Sequence, residues 1–326
     1  MKRRTFIAAS LGAIAAGAGA GSRPHHQPVH TGVALAFGTA IRISLVHADE
    51  KVARAAIADA LAAAQRVDRL MSIYQPSSQV YQLNRDGRLD KPDPQLLAVL
   101  AQARELSQLT GGAFDITVQP LWRAWRDAVA RDSLPTQAQL RQARALVDWR
   151  QVAFDERQIC LAPGMAITLN GLAQGHAADM ALAAVQAHGI GHALLDTGEF
   201  VARGRQREQP WTLGVRDPRD DQALAATLHI NGCALATSGD YETAFTPDYL
   251  HHHIFDPAVG DSPQELASVT VMAPTAMLAD GLSTACMVLG RERAALLAAS
   301  LPGVDLLAID KQGRQWRSAG FPAQVS

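Results

Sequence analysis

Residues Ile167–Ala181, ITLNGLAQGHAADMA, decide the fold, because two kinds of periodicity meet within them. The β-branched and apolar residues at the start predict a short strand that breaks at Asn170-Gly171. A second glycine, Gly175, follows, and the pattern becomes that of an alanine-rich helix. Such junctions present unpaired backbone N–H groups and the positive end of a helix dipole, so they bind anions, phosphates above all. The competing interpretation is an ordinary strand-to-helix connection, and the rest of the chain must decide between the two.

Outward from this stretch, helix and strand patterns alternate without a regular βαβ order. Apolar periodicity with polar caps predicts helices over 49–71, 93–109 and 172–188, and Thr136 can cap another. Strands are predicted over 36–45, 192–196 and 211–215, and a glycine-flanked turn entering a strand over 112–118. This irregular order favours an α+β (mixed α/β) fold over a doubly wound parallel sheet.

The composition is that of a globular chain with a substantial core. The 326 residues are 48% hydrophobic, which is enough for one large domain or two small ones. A net charge of −1 and the lack of a basic stripe exclude nucleic acid as a partner held by bulk electrostatics. The three cysteines, Cys160, Cys233 and Cys286, are too scattered for a disulfide framework or a thiolate metal site, although one disulfide remains open.

The N-terminus carries the pattern of an export signal. Lys2-Arg3-Arg4 precedes a short run of alanine and glycine that contains Ala18-Gly19-Ala20. This pattern predicts a twin-arginine signal, and hence export across the inner membrane to the periplasm. Residues 21–30, with two prolines and three histidines, indicate a flexible leader. We therefore predict a signal and leader over 1–30 and one folded domain over 31–326.

Asp280 and Thr284 form a candidate site for a divalent cation. They stand four residues apart in a helical pattern that begins at Ala279 and ends at Gly290, so their oxygens share one helix face. A carboxylate and a hydroxyl in this arrangement suit Mg²⁺, which completes its shell with water and phosphate. The competing interpretation is structural: an acidic helix cap or first-turn acid, followed by a threonine bonded back to the helix.

The histidine run His251-His252-His253 suggests a zinc site. In an extended segment, however, neighbouring side chains alternate between faces, so at most His251 and His253 share a side. His253, next to an apolar pair, is the better candidate for a hydrogen-bonding or acid/base role. The run Ala236–Glu242, with small polar groups around a glycine, predicts an ordinary turn when it is considered alone.

Six blocks taken in order resemble the motif set of the ApbE family, the FAD:protein FMN transferases. The blocks are MSIYQPSS, GGAFDIT, TLNGLAQGHAAD, TSGDYE, HHIFDPAVG and SVTVMAPTAMLADGLSTA, and the resemblance covers roughly residues 33–310. It implies a mixed α/β fold with the flavin in a central cleft and a Mg²⁺ site beside the pyrophosphate. It also implies the reaction: FAD is split at its pyrophosphate, FMN is attached through a phosphoester to a threonine of an acceptor protein, and AMP leaves.

The resemblance also implies which residues bind FAD and the metal. The implied flavin and adenosine contacts are Phe37, Tyr74, Ala113, Phe114, Asp115, Thr168, Gln174, His253 and Ile254. The implied metal ligands are Asp280, Ser283, Thr284 and the backbone oxygen of Gly171. His253 and Asp280 are the candidates for moving the proton of the attacking threonine, and the choice between them stays open.

The central block departs from the usual family pattern. Thr168 stands where relatives commonly have an acidic residue, Gln174 where they often have Lys or Glu, and Asn170 replaces the first glycine of a pair. Gly171 and Gly175 are kept, so the backbone chemistry of the loop is retained. This variant resembles the NosX-like subgroup associated with nitrous-oxide reductase maturation. The implied acceptor is a NosR-, RnfG- or NqrC-like membrane protein.

Three alternatives to flavin transfer stay open from the sequence. The first is an FAD pyrophosphatase, which would give FMN and AMP without an acceptor. The second is a carrier or maturation factor that binds FAD without cleaving it. The third is a zinc protein built on the histidine run.

Overall fold

The computed structural model describes residues 27–206 and 208–322, and the predicted export signal over 1–26 lies outside these ranges. The strands are β1 Val29–Ala36, β2 Thr39–Val46, β3 Arg88–Asp90, β4 Ala153–Phe154, β5 Gln158–Cys160, β6 Ala193–Asp196, β7 Phe200–Arg203, β8 Arg205–Gln206, β9 Gln209–Arg216, β10 Leu224–Ile230, β11 Cys233–Gly239, β12 Leu266–Ala273, β13 Asp305–Asp310 and β14 Gln315–Arg317. The helices are α1 Glu50–Met71, α2 Gln79–Asp86, α3 Pro94–Leu109, α4 Gln119–Val129, α5 Gln137–Arg144, α6 Ala173–Ala187 and α7 Ala276–Ser300.

An eight-stranded antiparallel sheet organises the described part of the chain, in the order β1-β2-β6-β7-β11-β12-β13-β14. Helices α1, α6 and α7 pack on one face, where the main core lies. The β9–β10 hairpin covers part of the other face through Trp211, Leu213 and Leu228. Strand β12 is therefore buried on both faces, which explains its almost continuous apolar sequence. The predicted mixed α/β fold is confirmed.

The helices follow the predicted caps closely. The Asp49 side chain accepts hydrogen bonds from the amides of Lys51 and Val52 at the start of α1, and Asp93 caps α3 in the same way. Thr136 forms a capping box with Gln139 at the start of α5. Capping and 3.6-residue periodicity are local signals, so these helices could be recognised without the rest of the fold.

The first predicted strand is wrong in its extent. It was expected over 36–45, but Phe37 and Gly38 form a turn between β1 and β2, with φ of 54° and 73°. Two successive residues with positive φ are what a two-residue hairpin turn needs to follow the strand twist. Strand β1 begins at Val29, so the end of the predicted leader already belongs to the sheet.

Two further predicted strands are wrong. Ile167 lies outside every strand and pairs with a side chain: Asn84 Nδ2 donates to its carbonyl at 2.8 Å, and Asn84 Oδ1 accepts from its amide at 2.7 Å. The amide of Thr168 donates to the carbonyl of Ile116. The segment over 112–118 leads into a 3₁₀ turn at Ile116–Val118 and then into α4, without forming a strand.

Strand β11 and helix α7 also differ from expectation. In the run over 236–242, the first four residues belong to the end of β11, and the predicted turn follows at Asp240 and Tyr241. Helix α7 begins at Ala276, three residues before the predicted start, with Thr275 as its cap. Gly290 has a non-helical backbone, with φ of 74°, and separates two helical segments within α7, so the predicted end at Gly290 is confirmed for the first segment. Asp280 is thus inside the helix, and the interpretation of Asp280 as a helix cap is wrong. Within the ranges that the structure describes, no helix is long and apolar enough to cross a membrane.

Candidate functional site

The candidate site lies where the turn before α6 meets α7 and the end of β11. A Cβ placed on Gly171 would lie 3.0 Å from Thr284 Oγ1 and 3.4 Å from the ring of Phe114. The backbone at residue 171 therefore rests directly on the α7 face and on the loop that follows α3. A side chain at this position would press on Thr284, so glycine suits this close approach.

Three hydroxyl groups form a chain at this junction. The Ser283 hydroxyl donates to the backbone oxygen of Asp280 at 2.8 Å, and Ser238 Oγ lies 2.8 Å from Ser283 Oγ and 3.1 Å from Thr284 Oγ1. Each hydroxyl has one proton. Because Ser283 donates its proton to the backbone oxygen of Asp280, Ser238 must donate to Ser283. Thr284 must then donate to Ser238. The lone pairs of Thr284 are then directed away from β11.

Asp280 is held between the two helices. Its carboxylate is 4% exposed, and Oδ2 accepts a hydrogen bond of 3.0 Å from the amide of Gly175 in the first turn of α6. The N-terminal end of a helix favours an anion. A Cβ on Gly175 would lie 2.3 Å from the carbonyl oxygen of Ala276, so the helix backbones are in direct contact. The carboxylate is therefore fixed against the first turn of α6, on the same helix as Thr284.

This donor set fits a hard divalent cation. The Asp280 carboxylate, the Thr284 hydroxyl and the Gly171 carbonyl supply oxygen only, and Mg²⁺ needs few protein ligands beside water and phosphate. Ser283, the fourth predicted ligand, has its hydroxyl engaged with Asp280 and Ser238, which favours a structural role. Among the described residues, no three His, Cys, Asp or Glu side chains gather into a metal cluster. The set thus lacks the nitrogen and sulfur ligands of a structural zinc site.

The loop after α3 is fixed by Asp115. Its Oδ1 accepts from the amide and hydroxyl of Thr117 at 2.8 and 2.6 Å, and its Oδ2 accepts from the amide of Trp149 at 3.1 Å. Burial raises the pKa of Asp115, and these hydrogen bonds oppose the rise. Phe114, 4% exposed, is held against Gly171, and the amide of Ala113 closes the preceding turn. Asp115 thus acts on the site by shaping the loop.

Gln174 and Thr168, the two neutral residues of the central block, form hydrogen bonds with backbone groups. Gln174 Nε2 donates to the carbonyl of Thr197 at 3.1 Å, and the Thr197 hydroxyl donates to the carbonyl of Gln174 at 2.8 Å. Thr168 Oγ1 accepts from the amide of Asn170. Gln174 therefore ties α6 to the β6–β7 turn, while Thr168 shapes the turn before Gly171.

Two predicted flavin contacts lie in other loops. Tyr74 is 61% exposed after α1, and its ring meets that of Trp122 edge-on, with centroids 6.4 Å apart. The guanidinium group of Arg126 lies over the Trp122 ring, 5.0 Å from its centroid. Phe37 lies in the β1–β2 turn, partly buried against the main core. The exposed Tyr74 ring offers an apolar surface that a planar ligand can cover.

The three histidines have different environments. His251 stacks on Trp125 with centroids 4.5 Å apart, and its Nδ1 lies 2.8 Å from Asp261 Oδ1. His252 is completely buried. The amide of His253 donates to the carbonyl of Thr243, and the ring lies edge-on to that of His252. The expected alternation of faces is observed, and the zinc alternative gains no support.

The buried ring of His252 is expected to make the unfolding free energy depend on pH. Its Nε2 lies 3.3 Å from the carbonyl of Pro263, and burial, helped by the charges of Lys311 and Arg219, lowers its pKa from 6.5 to about 4. The unfolded chain therefore binds a proton that the folded chain rejects. We expect unfolding free energy to be intact above pH 6.5 and to fall by about 3 kcal/mol as pH drops to 4.

Urea denaturation between pH 4 and 7.5 measures this dependence. His252→Gln is expected to flatten the slope between pH 6.5 and 4, while His229→Gln, at an exposed position, should leave it unchanged. Equal slopes in the wild type and His252→Gln would contradict the assignment.

The family model described as "ApbE family" matches residues 37–308, most of the chain. The chain belongs to the ApbE family. An FAD:protein FMN transferase of Treponema pallidum (strain Nichols) is 32% identical over 255 residues, covering 72% of this chain and 70% of the relative. One of Klebsiella pneumoniae (strain 342) is 30% identical over 338 residues, covering 97% and 96%.

The fold agrees with a solved ApbE structure. The crystal structure of the ApbE protein from Thermotoga maritima matches with a TM-score of 0.80 at 28% identity, covering 90% of this chain and 97% of that chain. The ApbE resemblance inferred from the six blocks is therefore confirmed, together with the fold class.

Several residues of this ApbE site were missed from the sequence. Ser238 joins Ser283 to Thr284, Trp122 lies beside Tyr74, and Asp179 contacts the start of α7. Ser238 and Asp179 lie inside quoted blocks, but their partners are far away in sequence. Only the four-residue spacing of Gly175 and Asp179, repeated by Ala276 and Asp280, was available as a signal.

Proposed function

We propose that this protein transfers the FMN moiety of FAD to a threonine of an acceptor protein, in a Mg²⁺-dependent reaction that releases AMP. The observation that carries the proposal is the junction at which the backbone of Gly171 rests on Thr284 while Asp280 accepts the amide of Gly175. The relatives named FAD:protein FMN transferase support the same activity.

The proposed reaction is a displacement at the phosphorus of the FMN half. The acceptor threonine oxygen forms a bond to that phosphorus, the bond to the bridging oxygen breaks, and AMP leaves with the bridging oxygen. Asp280, Thr284 and the Gly171 carbonyl would hold Mg²⁺. When bound, the ion neutralises charge on the pyrophosphate oxygens. The exposed ring of Tyr74 would cover the flavin, and the fixed loop with Phe114 would border the nucleotide.

We propose that His253 is the base that accepts the proton of the attacking threonine. Asp280 is the rival candidate, but its carboxylate already accepts the hydrogen bond from the Gly175 amide and is the proposed metal ligand. A histidine has an ordinary pKa near neutrality, so it can accept a proton at the pH of the reaction. In this proposal Asp280 serves as metal ligand and His253 as base.

The export signal defines where the reaction takes place in this proposal. The sequence over 1–26 has the twin-arginine pattern, which is used by proteins that fold before export. We propose that the enzyme acts in the periplasm on an acceptor that is exported or anchored in the membrane. Fractionation of cells that carry the wild type or the Arg3→Lys/Arg4→Lys variant tests this location.

A single assay distinguishes transfer from its alternatives. The protein without residues 1–26 is incubated with FAD, Mg²⁺ and an acceptor domain that exposes a threonine, and both AMP release and acceptor mass are measured. We expect AMP together with an FMN increment on the acceptor, and no increment on its Thr→Ala variant. AMP with free FMN would indicate a pyrophosphatase, and FAD binding without AMP would indicate a carrier. Either outcome would overturn the proposal.

A further inference from the structure

Two carboxylates link α6 and α7, and each helix provides one that accepts hydrogen bonds from amides of the other. Asp179 of α6 accepts the amides of Ala276 at 2.9 Å and Met277 at 3.0 Å, while Asp280 of α7 accepts the amide of Gly175 at 3.0 Å. Asp179 lies four residues after Gly175, and Asp280 lies four residues after Ala276. Each helix thus holds the first turn of the other, with two links one turn apart.

These links fix both the position and the rotation of α7. Gly175 packs so closely on Ala276 that a Cβ would lie 2.3 Å from the carbonyl oxygen. Asp179 binds two successive amides with its two oxygens, so the start of α7 cannot turn without breaking a bond. The usual cap of this helix is also present, since Thr275 Oγ1 accepts from the amide of Leu278. A single cap like this one would leave α7 free to shift against α6.

We propose that Asp179 is a positioning residue for the divalent cation site. By holding the start of α7 on α6, it sets the separation between the Gly171 carbonyl before α6 and the side chains of Asp280 and Thr284 on α7. The inference rests on the proposed Mg²⁺ site. Mg²⁺ requires nearly ideal octahedral geometry, whereas Ca²⁺ tolerates irregular shells, so a small helix shift weakens Mg²⁺ binding more than Ca²⁺ binding.

The test measures metal binding without flavin transfer. Mn²⁺, which shares the octahedral preference of Mg²⁺, is titrated into the wild type and Asp179→Asn in the presence of ADP, and the free Mn²⁺ is followed by its EPR signal. Competition by Mg²⁺ and by Ca²⁺ gives the relative affinities. Asparagine keeps the size of the side chain and one acceptor oxygen, but it loses the charge and the second bond. We expect Mn²⁺ and Mg²⁺ affinity to fall by about tenfold, as for other residues that orient metal ligands.

Thr275→Ala provides the matched control, because it removes a capping hydrogen bond at the same end of α7 and leaves the hydrogen bonds of Asp179 and Asp280 in place. It should lower the melting temperature comparably while metal affinity stays within about twofold. Asp179→Glu is a second variant that keeps charge and both oxygens but moves them outward, and it should also weaken Mn²⁺. Unchanged metal affinity in both Asp179 variants, or an equal loss in Thr275→Ala, would overturn the inference. A wild type that binds Mn²⁺ but releases no AMP from FAD would refute the proposed function alone.

Discussion

Asp280→Ala is expected to reduce Mg²⁺-dependent AMP release from FAD by about a thousandfold, the scale seen when a group that stabilises transition-state charge is removed. The carboxylate is the only anionic group among the proposed ligands Gly171, Thr284 and Asp280. Without it, two neutral oxygens would have to hold the ion against water. AMP release with 10 mM Mg²⁺ and with EDTA measures the metal-dependent part of the rate.

Asp280→Asn distinguishes an activity loss caused by lost metal binding from one caused by unfolding. The amide oxygen can still accept the hydrogen bond from Gly175, so thermal stability should remain close to that of the wild type. Its turnover should nevertheless be nearly as low as that of Asp280→Ala, because the charge is gone. Ser283→Ala, which removes a hydroxyl engaged within the fold, should retain much more activity. Undiminished turnover in Asp280→Ala would refute the metal assignment.

The sequence correctly placed Asp280 and Thr284 on one helix, whereas it mispredicted the segment that leads to Gly171. Asp280 and Thr284 share a face through helix geometry alone, and an error of three residues in the helix start does not change that relation. The strand predicted at Ile167 was wrong because an extended segment has the same pattern whether it pairs with a strand or with a side chain. Here the partner is Asn84, eighty-three residues earlier.

Residues whose role depends on tertiary contacts could not be assigned by spacing. Ser238 lies near the end of β11, in a run whose sequence predicted a turn, and only the sheet brings it to Ser283 and Thr284. The Phe37-Gly38 hairpin lacks the Asn-Gly signature of such turns, so the sequence did not reveal it. The family resemblance assigned Phe37 to the flavin contacts and placed Ser238 in a motif block, without indicating the contacts that either residue makes.

The ion cluster behind β11 has a large expected effect on stability. Asp240 is completely buried, and its two oxygens accept hydrogen bonds from Arg219 at 2.7 and 2.8 Å, with Lys311 Nζ 3.6 Å away. Arg219 also lies over the ring of Tyr249, and Lys311 donates to the carbonyl of the same residue. The cluster thus fixes the loop between β11 and the histidine run. Asp240, at the start of this loop, is two residues after Ser238.

Arg219→Met is expected to lower the unfolding free energy by about 2–3 kcal/mol, because the Asp240 carboxylate stays buried with only Lys311 to compensate its charge. The value lies at the low end for a broken buried pair, since Arg219 itself is partly exposed. Arg54→Met is the matched control: it breaks an exposed pair with Glu50 on α1 and should cost less than about 0.5 kcal/mol. Urea denaturation at pH 7.5 measures both. Adding Asp240→Asn to Arg219→Met should restore part of the loss, since the uncompensated charge is removed. A double variant no more stable than Arg219→Met would show that the loss comes from packing against Tyr249, and not from the buried charge.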